Sequence, residues 1–97
     1  MTRGLIKVSE SMLKSQVKDY LAIRGIFSFP LIQGLGSYRG APDRVFFYKG
    51  IVHFLEIKLP HGRMSEYQLA FQEQCRLAGV PYHVVHSIEE LEDVLKE

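Results

Sequence analysis

Apolar residues along this chain fall into seven segments, and the period of each names an element. Between Ser9 and Arg24 they recur at helical spacing. Leu13, Val17, Tyr20 and Leu21 make one stripe, with Ser9 as N-cap and Gly25 as stop. Ile26 to Gln33 is rich in β-formers, and Pro30 inside it predicts an edge strand or a bulge. The glycine-rich loop GLGSYRGAPD follows, and RVFFYKGIVHFLEIKL then reads as a hairpin turning at Lys49-Gly50. A second helix is predicted from Ser65 to Gly79, with Pro81 behind it and Tyr67, Phe71, Cys75 and Ala78 as its buried stripe. Tyr82 to Ser87 is a short strand, and Ser87-Ile88-Glu89-Glu90 is a capping box that opens the last helix. The order is α-β-β-β-α-β-α. The crossover helix sets the third and fourth strands parallel. The expectation is one domain over residues 1–97, of class α/β, with a mixed four-stranded sheet flanked by helices.

One strand breaks its own pattern. In IVHFLEIKLP, side chains alternate between two faces. His53, Leu55, Ile57 and Leu59 share one; Val52, Phe54, Glu56 and Lys58 share the other. The second face begins apolar and ends with a carboxylate beside an ammonium. With the turn at Lys49-Gly50, position 43 falls opposite position 56, so Asp43 and Glu56 face the same way unless a bulge shifts the count. Directly opposed β-carbons lie roughly 4.5–5.5 Å apart.

Two carboxylates that close repel, by on the order of 4 kcal/mol at 4 Å with an effective dielectric of about 20. Burial adds a desolvation penalty. Lys58 offsets part of this, and a divalent cation offsets the rest. Oxygen ligands without cysteine or histidine favour Mg²⁺ or Mn²⁺ over zinc. The competing reading is a structural salt bridge in Glu56-x-Lys58 with an unrelated aspartate in a Pro-Asp turn. Glu10 lies at the centre of the first helix's apolar stripe, where it serves either as a further ligand or as a favourable charge at the helix N-terminus. Gln68 borders the stripe of helix two, where it closes a capping box with Ser65, faces the site, or does both.

Composition changes the picture only in part. The chain is 46% hydrophobic and 24% charged, a balance that supports a small core and argues against disorder. No apolar run approaches the roughly 18 residues of a membrane span, and the N-terminus lacks a signal-peptide pattern. A single cysteine, Cys75, fits a reducing cytoplasm and excludes a four-cysteine zinc site within one chain. Net charge is +1, but residues 88–97 carry five acids and one lysine, a local −4. The remaining 87 residues hold 11 basic and 6 acidic side chains, so the body is at +5, a balance open to nucleic acid.

These residues, in order, resemble the VRR-nuclease (VRR-NUC) domain of the PD-(D/E)xK nuclease superfamily. The resemblance rests on Pro42-Asp43, Glu56-Ile57-Lys58, Gly62-Arg63-Met64-Ser65, Gln68 and Gly79, with Glu10 as a less specific match. It implies a restriction-endonuclease-like core and Mg²⁺- or Mn²⁺-dependent hydrolysis of DNA phosphodiesters. It also implies stand-alone homodimers acting on branched DNA such as Holliday junctions, in a bacterial or phage-infected cytoplasm. Ninety-seven residues leave no room for further DNA-binding domains, so targeting is expected from a dimer or a partner.

On that basis Asp43, Glu56 and the Ile57 backbone carbonyl are expected to bind the metal, with Glu10 in its outer shell. Lys58 positions the attacking water or stabilises transition-state charge, and Gln68 orients Lys58 or the water. Arg39, Arg44, Arg63 and Tyr38 hold phosphates and sugars, and Lys14 and Lys18 extend the track. Phe46 and Tyr48 are dimer candidates only if they face outward; core packing is the alternative. Two other functions stay open: a non-cleaving DNA-binding or assembly subunit, and a sequence-specific restriction-type nuclease.

Overall fold

The computed structural model describes residues 7–32, 34 and 36–97. The elements follow the expected order: α1 (Glu10–Ile23), β1 (Ser28–Pro30), β2 (Arg44–Tyr48), β3 (Ile51–Ile57), α2 (Glu66–Ala78), β4 (Tyr82–Val85) and α3 (Ile88–Leu95). One four-stranded sheet runs β1-β2-β3-β4, antiparallel at the first two pairings and parallel at β3–β4. Among the described residues no helix is long and apolar enough to cross a membrane.

Local chemistry sets the element ends. Ser9, Ser65 and Ser87 each accept a backbone N–H with the side-chain oxygen, at Met12, Gln68 and Glu90. Gly79 closes α2 with φ +73°, a conformation in which a side chain is strained. The hairpin turns through Lys49 at φ +53° and Gly50 at φ +76°. Two successive positive φ values match the strand twist and lock the register. Arg44 pairs with Leu55, Phe46 with His53 and Tyr48 with Ile51, as counting from the turn predicts.

Two expectations are corrected. The strand at Ile26–Gln33 shrinks to Ser28–Pro30 at the sheet edge, where Pro30 is tolerated because its nitrogen faces away from β2, and Leu31 beyond it still donates to the Asp43 carbonyl. Its last expected residue, Gln33, lies outside the described residues. The α2 stripe is shallower than its spacing suggests: Cys75 is buried and Phe71 half-buried, but Tyr67 and Ala78 are exposed.

The reason is an asymmetric sheet. On one face α1 (Leu13, Val17, Leu21) and α3 (Leu91, Leu95) pack on Phe46, Leu55, Ile57 and Val85. Phe46 is fully buried there, and Tyr48 packs on the same core with its hydroxyl donating to the Leu95 carbonyl. On the other face α2 stands alone. Its Phe71 meets Phe54 edge-on and also reaches Tyr82 and Tyr38. The β1–β2 half of that face stays open, with Phe27, Phe29 and Phe47 exposed upon it.

Candidate active site

Four segments converge on one cleft of about 410 Å³ at the end of the sheet: the first turns of α1, the start of β2, the end of β3 and the N-terminus of α2. Glu10, Asp43, Glu56, Lys58 and Gln68 all line it, together with Lys14 and Arg39. The hairpin register, carried one residue past the Arg44–Leu55 rung, sets Asp43 opposite Glu56. Asp43 Oδ2 accepts the Ile57 backbone N–H at 2.7 Å, which ties β2 to β3 where the ladder ends. In a strand a residue's N–H and C=O point toward the same neighbour. The Ile57 carbonyl therefore lies on the Asp43 side.

Glu56 is the unusual member. It is 1% exposed, among the most deeply buried side chains of the protein. Its Oε2 accepts from Gln68 Nε2 at 2.9 Å and lies 3.5 Å from Lys58 Nζ. Its Oε1 has no partner; among the buried side-chain polar atoms of the described residues only Tyr82 Oη shares that condition. Burial, then the charge of Asp43, push the Glu56 carboxyl up to about 7, against the pull of Lys58 and Lys14. Burial and the Glu56 charge likewise push the Tyr82 hydroxyl upward.

Gln68 does two jobs at once. Its Oε1 accepts the Ser65 N–H at 2.8 Å while Ser65 Oγ accepts the Gln68 N–H, so the capping box fixes the amide that holds Glu56. Its side-chain partner is Glu56, a contact additional to the expected role of orienting Lys58 or the water. Lys58 is steadied through its own backbone: the carbonyl accepts from His86 Nδ1 at 3.0 Å, and the N–H donates to Val85.

Sequence reasoning did not foresee the Lys14–Asp43 contact and missed Tyr67. Lys14 Nζ lies 3.1 Å from Glu10 Oε2 and 3.0 Å from Asp43 Oδ1, inside the acidic cluster and not on an outer track. The Glu10–Lys14 spacing of four is a readable helical pair; the link to Asp43 is tertiary. Hydrogen bonds and the charges of Asp43 and Glu10 together raise the Lys14 ammonium, outweighing burial, which alone would lower it and is the largest single influence. Tyr67 lines the cleft and carries the Arg39 guanidinium 3.8 Å above its ring. The chain passes Tyr67 so closely at Gly40, φ +89°, that a β-carbon there would collide with the Tyr67 carbonyl.

The other cationic candidates are dispersed. Arg44 is buried, with Nε donating to Ser28 Oγ at 2.9 Å, and faces a neighbouring hollow. It pairs with Leu55 on the face opposite Glu56, which is why it turns inward. Arg63 and Lys18 are exposed, and neither lines the cleft. Tyr38 is exposed and leans on Phe71, 5.9 Å between centroids.

The donor set is that of an open cation site and not of a closed cage. Among the described residues no three His, Cys, Asp or Glu side chains form a ready cage. A Mg²⁺-type ion needs less, taking one or two carboxylates and completing its shell with water and substrate oxygens. Asp43 with the orphaned Oε1 of Glu56 fits that requirement.

No protein-family profile matches the sequence, and no curated protein does. A solved structure described as "VRR_NUC domain" superposes with a TM-score of 0.75 at 23% identity, covering 91% of this chain and 95% of that one. At that coverage the likeness spans most of the chain, which therefore has the fold of a VRR_NUC domain.

Proposed function

We propose that this protein is a divalent-cation-dependent endodeoxyribonuclease that hydrolyses phosphodiester bonds in branched DNA, with Holliday junctions as the leading substrate class. The observation that carries the reading is Glu56: a carboxylate 1% exposed, with one unpartnered oxygen, beside a second carboxylate and a lysine. A purely structural ion pair has no use for an orphaned acceptor, whose burial is costly.

Asp43, Glu56 and the Ile57 carbonyl would hold Mg²⁺ or Mn²⁺, with Glu10 in the outer shell. The bound ion supplies a water of lowered pKa and polarises the phosphate. The chain's own residues do the rest. Gln68 fixes one Glu56 oxygen and leaves the other, which has no hydrogen-bond partner, available to an ion. Lys58, anchored by its backbone to β4 and His86, holds the attacking water or meets charge building on the phosphate. Arg39, stacked on Tyr67 at the rim, is pre-oriented for a backbone phosphate. Arg63, Tyr38 and Lys18 extend contact along the strand, and such contacts position DNA without reading sequence. Arg44 contributes by shaping the hollow beside Asp43. A cytoplasmic setting goes with this reading.

The test is direct. With Mn²⁺ the protein should nick a four-way junction well before a linear duplex of the same sequence. Equal cutting at fixed sequences in both would replace junction selectivity with sequence specificity, and failure to cut any DNA form would leave a binding subunit.

Cutting two strands of a junction requires two sites related by symmetry. The partner proposed is a second copy, docked through the open β1–β2 half of the sheet. Phe27, Phe29 and Phe47 are 60%, 39% and 46% exposed there, their rings 5.0–6.3 Å apart. At roughly 200 Å² per ring they present about 300 Å² of apolar surface per chain. Doubled by a two-fold axis, the rings supply about 600 Å², and neighbours such as the exposed Val52 opposite Phe47 would add the rest of the ~1,000 Å² a specific interface needs. Phe47→Glu should turn a sedimenting dimer into a monomer; a wild-type protein that stays monomeric at high concentration rules this face out.

A further inference from the structure

Both oxygens of Asp43 are taken. Oδ2 accepts the Ile57 N–H at 2.7 Å, and Oδ1 is 3.0 Å from Lys14 Nζ. The same ammonium is 3.1 Å from Glu10 Oε2. Lys14 thus sits between two of the three acids of the cleft, in a place suited to a cation. The two lysines of the cleft differ in freedom. The Lys58 side chain is 14% exposed and the Lys14 side chain 41%. Lys14 hangs from the surface of α1 on a flexible four-carbon stem, so it can swing away without opening the core.

We propose that Lys14 is the resident counter-ion of the cleft: a divalent ion entering between Asp43 and Glu56 displaces its ammonium, which then turns outward to the phosphate of the bound strand. The proposal rests on the nuclease reading above. The exchange takes the cleft from a net charge of about −1 to about neutral. Without the ion, Glu10, Asp43 and Glu56 face Lys14 and Lys58; with it, a doubly positive centre lies a few ångströms from Lys14 and repels it. The released ammonium replaces lost carboxylate contacts with phosphate, whose charge the ion and the arginines leave partly uncovered. Metal loading would in this way switch a residue from an internal pair to a substrate contact, so that DNA engages the charged enzyme best when the ion is already seated.

Two measurements decide it. In Mn²⁺ titration calorimetry, Lys14→Met should bind the ion about tenfold more tightly than wild type, the competitor being gone. Lys18→Met, one turn further along α1, should match wild type and so reports any long-range charge effect. In ¹⁵N spectra of the lysine ammonium groups, the Lys14 signal should be protected from water in the metal-free protein and lose that protection at saturating Mg²⁺. Unchanged or weaker Mn²⁺ binding by Lys14→Met, or a Lys14 signal that stays protected with Mg²⁺ bound, overturns the displacement and leaves the nuclease reading standing. A wild-type protein that binds no Mn²⁺ overturns both.

Discussion

Glu56→Gln is expected to lower Mn²⁺-dependent DNA cleavage by at least about a thousandfold while making the fold more stable. The two effects have one cause. Glu56 is buried where a negative charge is costly, and its carboxyl is pushed up from 4.5 to about 7 by burial first and the neighbouring Asp43 second. The sign follows from linkage. Below pH 4.5 the carboxyl is neutral both folded and unfolded, and the penalty is absent. Between pH 4.5 and 7 the unfolded chain releases its proton while the folded one keeps it, so stability falls as pH rises. Above 7 the full cost is present, on the order of 3 kcal/mol. Glutamine cannot ionise, yet its carbonyl still accepts from Gln68 and Lys58. From pH 5 to 8, urea unfolding of metal-free wild type should therefore lose stability relative to the variant, in which the Glu56 contribution is gone. Parallel pH profiles for the two proteins would mean that the carboxylate is not penalised where it sits. Mg²⁺ should restore the wild type at pH 8 and leave the variant unmoved, because an ion that binds only the folded state stabilises it by mass action.

Asp43 should separate chemistry from architecture in the opposite manner. Asp43→Asn and Asp43→Ala are both expected to cut DNA at least about a thousandfold more slowly, since each removes the charge facing Glu56. Their stabilities should differ. The asparagine carbonyl can still accept the Ile57 N–H held by Oδ2 at 2.7 Å. Alanine leaves that donor without an acceptor in a part-buried position, at about 1–3 kcal/mol. Both also relieve the repulsion that raises Glu56, so the carboxyl of Glu56 moves down in either variant. Cleavage assays with equilibrium unfolding check the split. An Asp43→Asn protein that still cuts at wild-type rate would remove Asp43 from the site.

Why a strand should end in an acid and a lysine on an apolar face finds its physical answer in register. The Lys49-Gly50 turn couples every residue of β2 to one of β3, and the pairing observed is the one that counting predicts. Asp43 and Glu56, thirteen positions apart in sequence, become neighbours by that arithmetic alone. Helical spacing similarly set Glu10 toward the sheet, and the Ser65 capping box located Gln68 at the start of α2. These are local rules, with periods of two and 3.6 residues, and a single chain states them openly.

What escaped depended on elements distant in sequence meeting. Lys14 reads as a helix lysine extending a phosphate track until α1 brings it against β2 and Asp43 takes its charge. Arg44 reads as a phosphate ligand until the same register that sets Asp43 beside Glu56 turns its neighbour to the opposite, covered face. Tyr67 has the spacing of a core residue, yet α2 covers only the β3–β4 side and leaves Tyr67 at the rim to carry Arg39. For the same reason the outward aromatic on β2 is Phe47, with Phe46 and Tyr48 packed on the opposite side. By itself the sequence determined the order of elements, the turn, the strand register and thus which acids oppose each other, because these arise from backbone geometry over a few residues. Tertiary structure alone decided which charges were neutralised, which were buried and which half of the sheet stayed bare, because burial and ion pairing depend on what packs across a gap the chain reaches only after folding.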